Sequence, residues 1–120
     1  MVNKVYGLLG ISSKAGKVIS GTEVVLEEIR KHKVALVIVA EDAAERTIKN
    51  VRYECEKNNV NIEIFGNIFE NSKYIGKQNR AVIGIKDKNL ALAIEKIIHG
   101  GDESGKNQNS WTSKKTRNRQ

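Results

Sequence analysis

Residues 10–17, GISSKAGK, have a composition that suits a phosphate-binding loop. In the loop of nucleotide hydrolases, four residues separate the two glycines, and a Ser or Thr that binds the metal follows the lysine. Here five residues separate Gly10 from Gly16, and Val18 follows Lys17. The spacing and the missing hydroxyl argue against nucleotide hydrolysis at this segment.

Residues 20–23, SGTE, have the pattern of a helix start. Ser20 at the N-cap with Glu23 three residues later predicts a capping box, in which each side chain binds a backbone N–H of the other residue. A helix N-terminus also offers free N–H groups and partial positive charge to an anion, and the upstream Lys14 and Lys17 are expected to raise the local potential. The residues alone leave both interpretations open.

Glu23, Glu27 and Arg30 are expected to share one side of the helix that starts there. Like charges four residues apart on a helix are mildly unfavourable. We therefore predict a solvated helix face on which Arg30 is the partner of the carboxylates, in preference to a catalytic carboxylate pair.

The next predicted helix carries Arg46, Lys49 and Tyr53 on the side away from its apolar stripe. A basic face with one aromatic residue suits an RNA backbone, and an ordinary solvated face is the alternative. Cys55 falls on the apolar stripe, which predicts a small buried side chain and not a nucleophile.

His32 and His99 are both expected near helix ends. Neither histidine has the Ser–His–Asp or metal-ligand spacing of a catalytic site, so we predict no enzymatic activity, no metal and no cofactor.

Residues 75–80, IGKQNR, form a polar, basic segment immediately before a predicted strand. Its clustered donors are suited to phosphates and unpaired base edges, and an ordinary surface turn is the alternative.

The charge of the whole chain favours a polyanionic partner. Lys and Arg number 21 and Asp and Glu number 14 in 120 residues, which gives a net charge of +7. Such an excess is typical of nucleic-acid binding, although lysines can also serve solubility alone. One cysteine excludes an internal disulfide, and no apolar run approaches the ~18 residues of a membrane span. We expect a cytoplasmic protein without a signal peptide.

Apolar spacing predicts the order α-β-α-β-α-β-α-β-α over residues 1–100. Such alternation implies a central, partly parallel sheet with helices on both faces. Residues 101–120 hold one large apolar residue, Trp111, and no periodicity. They predict a disordered basic tail after a single domain.

Three segments together resemble the L7Ae-type ribosomal protein family, whose members bind kink-turn RNA. They are LLGISSKAGKVISG, EEIRKHKVALVIVAEDA and IGKQNRAVIGI, and the similarity extends over about residues 4–98, in particular to the small bacterial YlxQ-like members. The resemblance implies an α/β fold, a three-layer α/β/α sandwich with a central four-stranded mixed sheet. It also implies an RNA surface formed by residues 21–27, 40–43 and 75–80.

We therefore predict a non-enzymatic, monomeric protein that binds structured, kink-turn-like or ribosomal RNA, or the ribosome itself. Positive charge is expected to concentrate at the three segments. Glu23 and the helix N-terminus are expected to read bases, and four cations are expected to hold phosphates: Lys14, Lys17, Lys77 and Arg80. The full set of predicted RNA-binding residues is Lys14, Lys17, Ser20, Gly21, Thr22, Glu23, Glu41, Asp42, Arg46, Ile75, Gly76, Lys77, Gln78, Asn79 and Arg80.

The first of these segments departs from the family pattern. Glu23, Val24 and Glu27 stand where the family's strong binders have Asn, Glu and Lys, and Asn71-Ser72 replaces a Leu-Gly pair. A carboxylate at Glu27 repels phosphates, and Val24 accepts no hydrogen bond from guanine. The alternative hypothesis is a protein-interaction module on the same fold, with kink-turn binding weakened or lost.

Overall fold

The computed structural model describes residues 2–100, and the side chains of residues 4–100. The predicted tail at residues 101–120, including Trp111, lies outside the described residues. Nine elements follow the predicted order: α1 (Val2–Lys14), β1 (Val18–Ser20), α2 (Thr22–Arg30), β2 (Leu36–Val39), α3 (Glu45–Lys57), β3 (Asn61–Ile64), α4 (Ile68–Tyr74), β4 (Val82–Ile85) and α5 (Lys88–Ile98).

The four strands form one mixed sheet in the order β1-β4-β2-β3. Strand β4 is antiparallel to both β1 and β2, while β2 and β3 are parallel. The ends of β1, β2 and β3 therefore lie at the same edge of the sheet as the beginning of β4. This arrangement confirms the predicted mixed sheet and decides which loops meet.

The sheet is covered on both faces, which gives the predicted three layers. Leu36 and Ile38 of β2 pack with α1 and α5, whereas Val37 and Val39 pack with α2 and α3. Because side chains alternate between the two faces of a strand, an unbroken apolar strand is what a sheet between two helical layers requires.

The helix ends agree with the sequence in most places. Gly16 follows α1 with a φ of 74°, and Asn59 follows α3 with a φ of 59°. The N-cap of α5 is Asp87. The Asp87 carboxylate accepts the backbone N–H of Leu90 at 2.9 Å. A carboxylate at this position also interacts favourably with the helix dipole.

Among the helices within residues 2–100, none has the length and apolar character needed to cross a membrane.

Candidate nucleic-acid interface

The three predicted segments meet at one edge of the sheet. The backbone N–H of Gly21 donates to the carbonyl of Val82 at 2.9 Å, and that of Ala40 donates to the carbonyl of Ala81 at 3.0 Å. We call this the Gly21 edge; it comprises residues 21–24, 40–43, 65–67 and 76–81. The antiparallel pairing of β4 with β1 and β2 brings together residues that lie far apart in the chain.

The start of α2 has no side-chain cap, so the predicted capping box of Ser20 and Glu23 is wrong. Ser20 belongs to β1, where it pairs with Ile83, and the N-cap is Gly21 with a φ of 100°. The first N–H groups of a helix have no acceptor within the helix. In the described part of the chain, those of Thr22, Glu23 and Val24 also have none outside it.

Arg80 stands beside this helix start. One terminal nitrogen of its guanidinium lies 3.8 Å from the position that a Cβ on Gly21 would occupy. Ser72 fixes the backbone there, because its Oγ accepts the N–H of Arg80 at 2.7 Å and donates to the Arg80 carbonyl at 3.3 Å. The Nε of Arg80 is buried and has no hydrogen-bond partner among the described residues. A buried donor without a partner costs about 1–3 kcal/mol.

The loop after α4 borders a groove of about 820 Å³. Gly76, Lys77, Gln78 and Asn79 are exposed on one side of the groove, and α4 forms the other. Ile75 differs from its predicted role, because its side chain is buried against α1 and α5 and is not accessible to RNA. It caps the end of α4, which explains why an apolar residue begins a polar loop.

Phe69 is the main residue of this groove that the sequence did not identify. It lies on α4 with 71% of its surface exposed, which is the largest exposure among the large apolar side chains described. The signal in the sequence that could have identified Phe69 is an aromatic residue on the solvent side of a short helix. The ambiguous apolar spacing across residues 68–75 hides that signal.

The two acidic residues after β2 have different surroundings. The Asp42 carboxylate accepts the backbone N–H of Ile68 at 2.9 Å and so stabilises the start of α4. Glu41 borders a smaller pocket of about 360 Å³, which it shares with Glu70. Tyr6 in this pocket donates its hydroxyl proton to Asn71 at 2.6 Å. Burial, together with the nearby charge of Glu70, raises the pKa of Tyr6.

Positive charge does not concentrate at the three segments, contrary to the prediction. Glu23, Glu41 and Asp42 share the Gly21 edge with Lys77 and Arg80. The edge is therefore mixed in charge and presents both donors and acceptors.

Lys17 does not lie beside the start of α2. Lys17 precedes β1 at the far end from Gly21, and its carbonyl accepts the N–H of Lys86 at 2.8 Å. The strand between them holds three residues, which separates the two ends by ~10 Å. Lys14 ends α1 next to Ser13, whose hydroxyl donates to the Ile75 carbonyl at 3.2 Å. The direction of β1 decides the position of Lys17, and the residue type alone does not reveal that direction.

Arg46 is exposed in the first turn of α3, which starts just after the Gly21 edge. The predicted pairing of Arg30 with the carboxylates of its own helix is wrong. Arg30 reaches Glu54 on α3 at 3.4 Å, and Glu27 pairs with Lys31 at 3.5 Å. The packing of α2 against α3 brings the half-buried Glu54 within reach of Arg30.

Cys55 is fully buried, as predicted. Burial raises the pKa of its thiol to about 12, so the thiol stays protonated and is not a nucleophile near neutral pH. Among residues 4–100, the His, Cys, Asp and Glu side chains form no group suited to a metal ion.

Residues 3–94 match the ribosomal protein L7Ae/L30e/S12e/Gadd45 family. Two relatives are each named RNA-binding protein YlxQ. The one from Bacillus subtilis (strain 168) is 34% identical over 93 residues, which is 78% of this chain and 93% of the relative. The one from Enterococcus faecium is 37% identical over 98 residues, which is 81% of this chain and 93% of the relative.

Solved structures share the fold. A Bacillus halodurans protein described as having unknown function superposes with a TM-score of 0.77 at 30% identity, over 79% of this chain and 96% of that one. The Giardia lamblia 15.5kD RNA binding protein superposes with a TM-score of 0.71 at 17% identity, over 84% of this chain and 87% of that one, and supports the fold alone. The motifs, the layered fold and the match over residues 3–94 together show that the chain belongs to the ribosomal protein L7Ae/L30e/S12e/Gadd45 family.

Proposed function

We propose that this chain is a non-enzymatic RNA-binding protein that holds structured RNA at its Gly21 edge. Family membership and relatives named as RNA-binding proteins support this class of function. The observation that carries the proposal is the guanidinium of Arg80, which lies beside the uncapped start of α2 and has an unpaired buried Nε. RNA can supply acceptors to the free N–H groups of α2 and to the terminal nitrogens of Arg80 beside them.

The mixed charge of the edge suits recognition of bases as well as phosphates. Phosphate contacts position a protein on RNA, whereas base edges carry the sequence information. The free N–H groups of α2 and the Arg80 guanidinium donate to base or phosphate oxygens, and the Glu23 carboxylate accepts from amino groups of bases. Phe69 beside the groove provides a surface on which an unstacked base can lie.

We propose a kinked, kink-turn-like helix as the RNA structure and ribosomal RNA as its source, bound by a monomer in the cytoplasm. Glu23, Val24 and Glu27 at the start of α2 replace side chains that bind such RNA in the family. The affinity is therefore expected to be lower than that of an Asn, Glu and Lys set. Each polar contact to a base that is lost reduces the binding free energy by about 1–3 kcal/mol.

A titration by fluorescence anisotropy tests this proposal. The probes are a kink-turn RNA and the same RNA with its G·A pairs replaced by Watson–Crick pairs. We expect tighter binding to the kinked RNA. We also expect Lys77→Gln with Arg80→Gln to remove that preference and to weaken binding by about tenfold or more.

Lys49→Gln with Lys96→Gln is the matched control, because both lysines are exposed and lie outside the Gly21 edge. Equal binding of the two RNAs, or equal losses in the two double variants, would contradict the proposal. Circular dichroism spectra check that both variants are folded.

A protein-interaction module is the second candidate, and one observation favours it. Val24 is 49% exposed at the start of α2, between Glu23 and Glu27. The helix therefore presents an apolar side chain flanked by two carboxylates, which a protein partner could bind. Affinity purification with and without nuclease treatment separates the two candidates. Partners that are retained after nuclease favour direct protein binding, and partners lost with the RNA favour RNA binding.

A further inference from the structure

The edge of the sheet opposite the Gly21 edge is rich in lysine. We call it the Lys17 edge; it comprises residues 15–17, 31–35, 58–60 and 86–88. Lys17, Lys33, Lys86 and Lys88 are exposed there. None of these four lysines has an ion pair with another residue in the part of the chain that the structure describes.

These lysines lie on neighbouring strand ends. Val18 pairs with Ile85, and Ile85 pairs with Leu36, so β1, β4 and β2 are adjacent at this edge. The N–H of Lys86 donates to the carbonyl of Lys17 at 2.8 Å. Neighbouring strands are ~4.8 Å apart, so Lys17 and Lys86 are side by side and Lys33 lies near the next strand. The negative charges of a nucleic-acid duplex are closely spaced along its axis, so this row of lysines can contact several phosphates.

Acidic side chains do not neutralise the row. Within residues 15–17, 31–35, 58–60 and 86–88 the one acidic residue is Asp87, and its carboxylate caps α5. Lys31 pairs with Glu27 and Glu28 and is left out of the row for that reason. The edge also holds His32, Asn58 and Asn59, but its unpaired charges are all cations, which favours contact with an RNA backbone over sequence-specific recognition.

We propose that the Lys17 edge is a second RNA contact, which binds the phosphate backbone of a segment other than the one at the Gly21 edge. This inference rests on the proposed function in one respect, namely that the polyanion is RNA. The four residues of β2 span ~13 Å between the two edges. The two contacts therefore face opposite directions, and the protein joins two RNA segments or two parts of a curved one.

The test compares two triple variants of the full chain. Lys17→Gln, Lys33→Gln and Lys86→Gln together remove three charges at the Lys17 edge. Lys49→Gln, Arg52→Gln and Lys96→Gln together remove three charges from exposed positions away from both edges. Binding to a straight 24-base-pair RNA duplex is measured over a range of salt concentrations.

We expect the Lys17-edge variant to bind the duplex about tenfold or more weakly. The slope of log K against log salt is expected to fall by up to about 2.7, because three charges are removed and each lost phosphate contact reduces the slope by ~0.9 for a duplex. The control variant is expected to keep most of the wild-type slope. Equal slopes in the two triple variants would overturn the proposal.

Two further arms separate this inference from the function proposed for the Gly21 edge. The Lys17-edge variant should still prefer kinked RNA over straight RNA, whereas the Lys77 and Arg80 double variant should lose that preference and keep the duplex slope. Loss of the kinked-RNA preference in the Lys17-edge variant would overturn the division between the edges. In the last arm, poly-glutamate replaces the RNA duplex. If poly-glutamate binds more tightly than the duplex at an equal concentration of negative charge, RNA is not the ligand of the Lys17 edge.

Discussion

The two edges of the sheet differ in the variety of their chemical groups more than in their size. The Gly21 edge combines backbone N–H groups, a guanidinium and carboxylates, and an exposed aromatic ring lies in the adjoining groove. The Lys17 edge presents ammonium groups with the carboxylate of Asp87 engaged in a helix cap. Varied donors and acceptors discriminate between ligands, whereas repeated cations attract polyanions of any sequence. A net charge of +7 therefore did not indicate where recognition takes place.

The largest expected effect concerns a glycine at the Gly21 edge. A Cβ on Gly66 would lie 2.2 Å from Asn71 Oδ1 and 2.5 Å from the Tyr6 hydroxyl, and Gly66 has a φ of 68°. Gly66→Ala is expected to lower the free energy of unfolding by about 3 kcal/mol or more through overlap and backbone strain. Urea denaturation followed by circular dichroism measures the change.

Gly16 at the Lys17 edge is the matched position, because its φ is 74° and nothing lies within 4 Å of the place that a Cβ would take. Gly16→Ala is expected to lower the free energy of unfolding by only about 1 kcal/mol, from the left-handed conformation alone. Equal losses would show that the packing around Gly66 does not stabilise the Gly21 edge.

Phe69→Ala tests whether the exposed ring binds a base. The affinity for kinked RNA is expected to fall by about 1–3 kcal/mol, as for the loss of one stacked base. Leu92→Ala on α5 is the control, because Leu92 is 58% exposed and lies on a different helix. Equal affinities of the Phe69 and Leu92 variants for kinked RNA would remove Phe69 from the interface.

Ser72→Ala tests how Arg80 is positioned. The backbone N–H of Arg80 would lose its acceptor, which is expected to lower the free energy of unfolding by about 1–2 kcal/mol. Binding to kinked RNA should weaken, while binding to a straight duplex should stay at the wild-type level because the Lys17 edge is unchanged. An equal loss of affinity for the kinked RNA and the straight duplex would indicate that the variant unfolds, and would contradict a local effect on Arg80.

The smallest expected effect involves neither edge. Burial raises the pKa of Cys55 to about 12 from its ordinary value of 9.0, so above pH 9 the thiol ionises in the unfolded chain but not in the folded one. Stability that is present below pH 9 is therefore lost as pH rises towards 12. The stability difference between wild type and Cys55→Ala should shrink by about 1 kcal/mol between pH 8 and pH 10. A constant difference would mean that the thiol ionises equally in both states.

The sequence predicted the nine elements well because apolar spacing reports directly on which residues face a core. On α2, for example, Val25 and Ile29 are buried, and all four residues of β2 are buried. The predicted capping box failed because Ser20 continues β1, and pairing with β4 is a contact that local pattern does not contain.

The candidate site was predicted by segment but not by residue. The family resemblance indicated the three segments, and strand direction brings them together. The roles of individual residues depend on distant partners, such as Ser72 for Arg80 and Glu54 for Arg30. Lys17 was expected beside the start of α2, but it lies at the other end of β1. Proximity to Gly21 in the sequence does not reveal that an extended strand separates the two residues.

The opposite directions of α1 and α5 have a practical consequence for labelling. Tyr6 near the start of α1 lines the Glu41 pocket, and His99 after α5 pairs with Glu63 of β3 at 2.7 Å. Both ends of the described fold therefore lie towards the Gly21 edge. A fluorophore on a cysteine introduced near either end of the described residues reports from the side where kinked RNA is expected. A maleimide dye on a cysteine introduced at Asn59 reports from the far side, and the buried Cys55 does not compete for it.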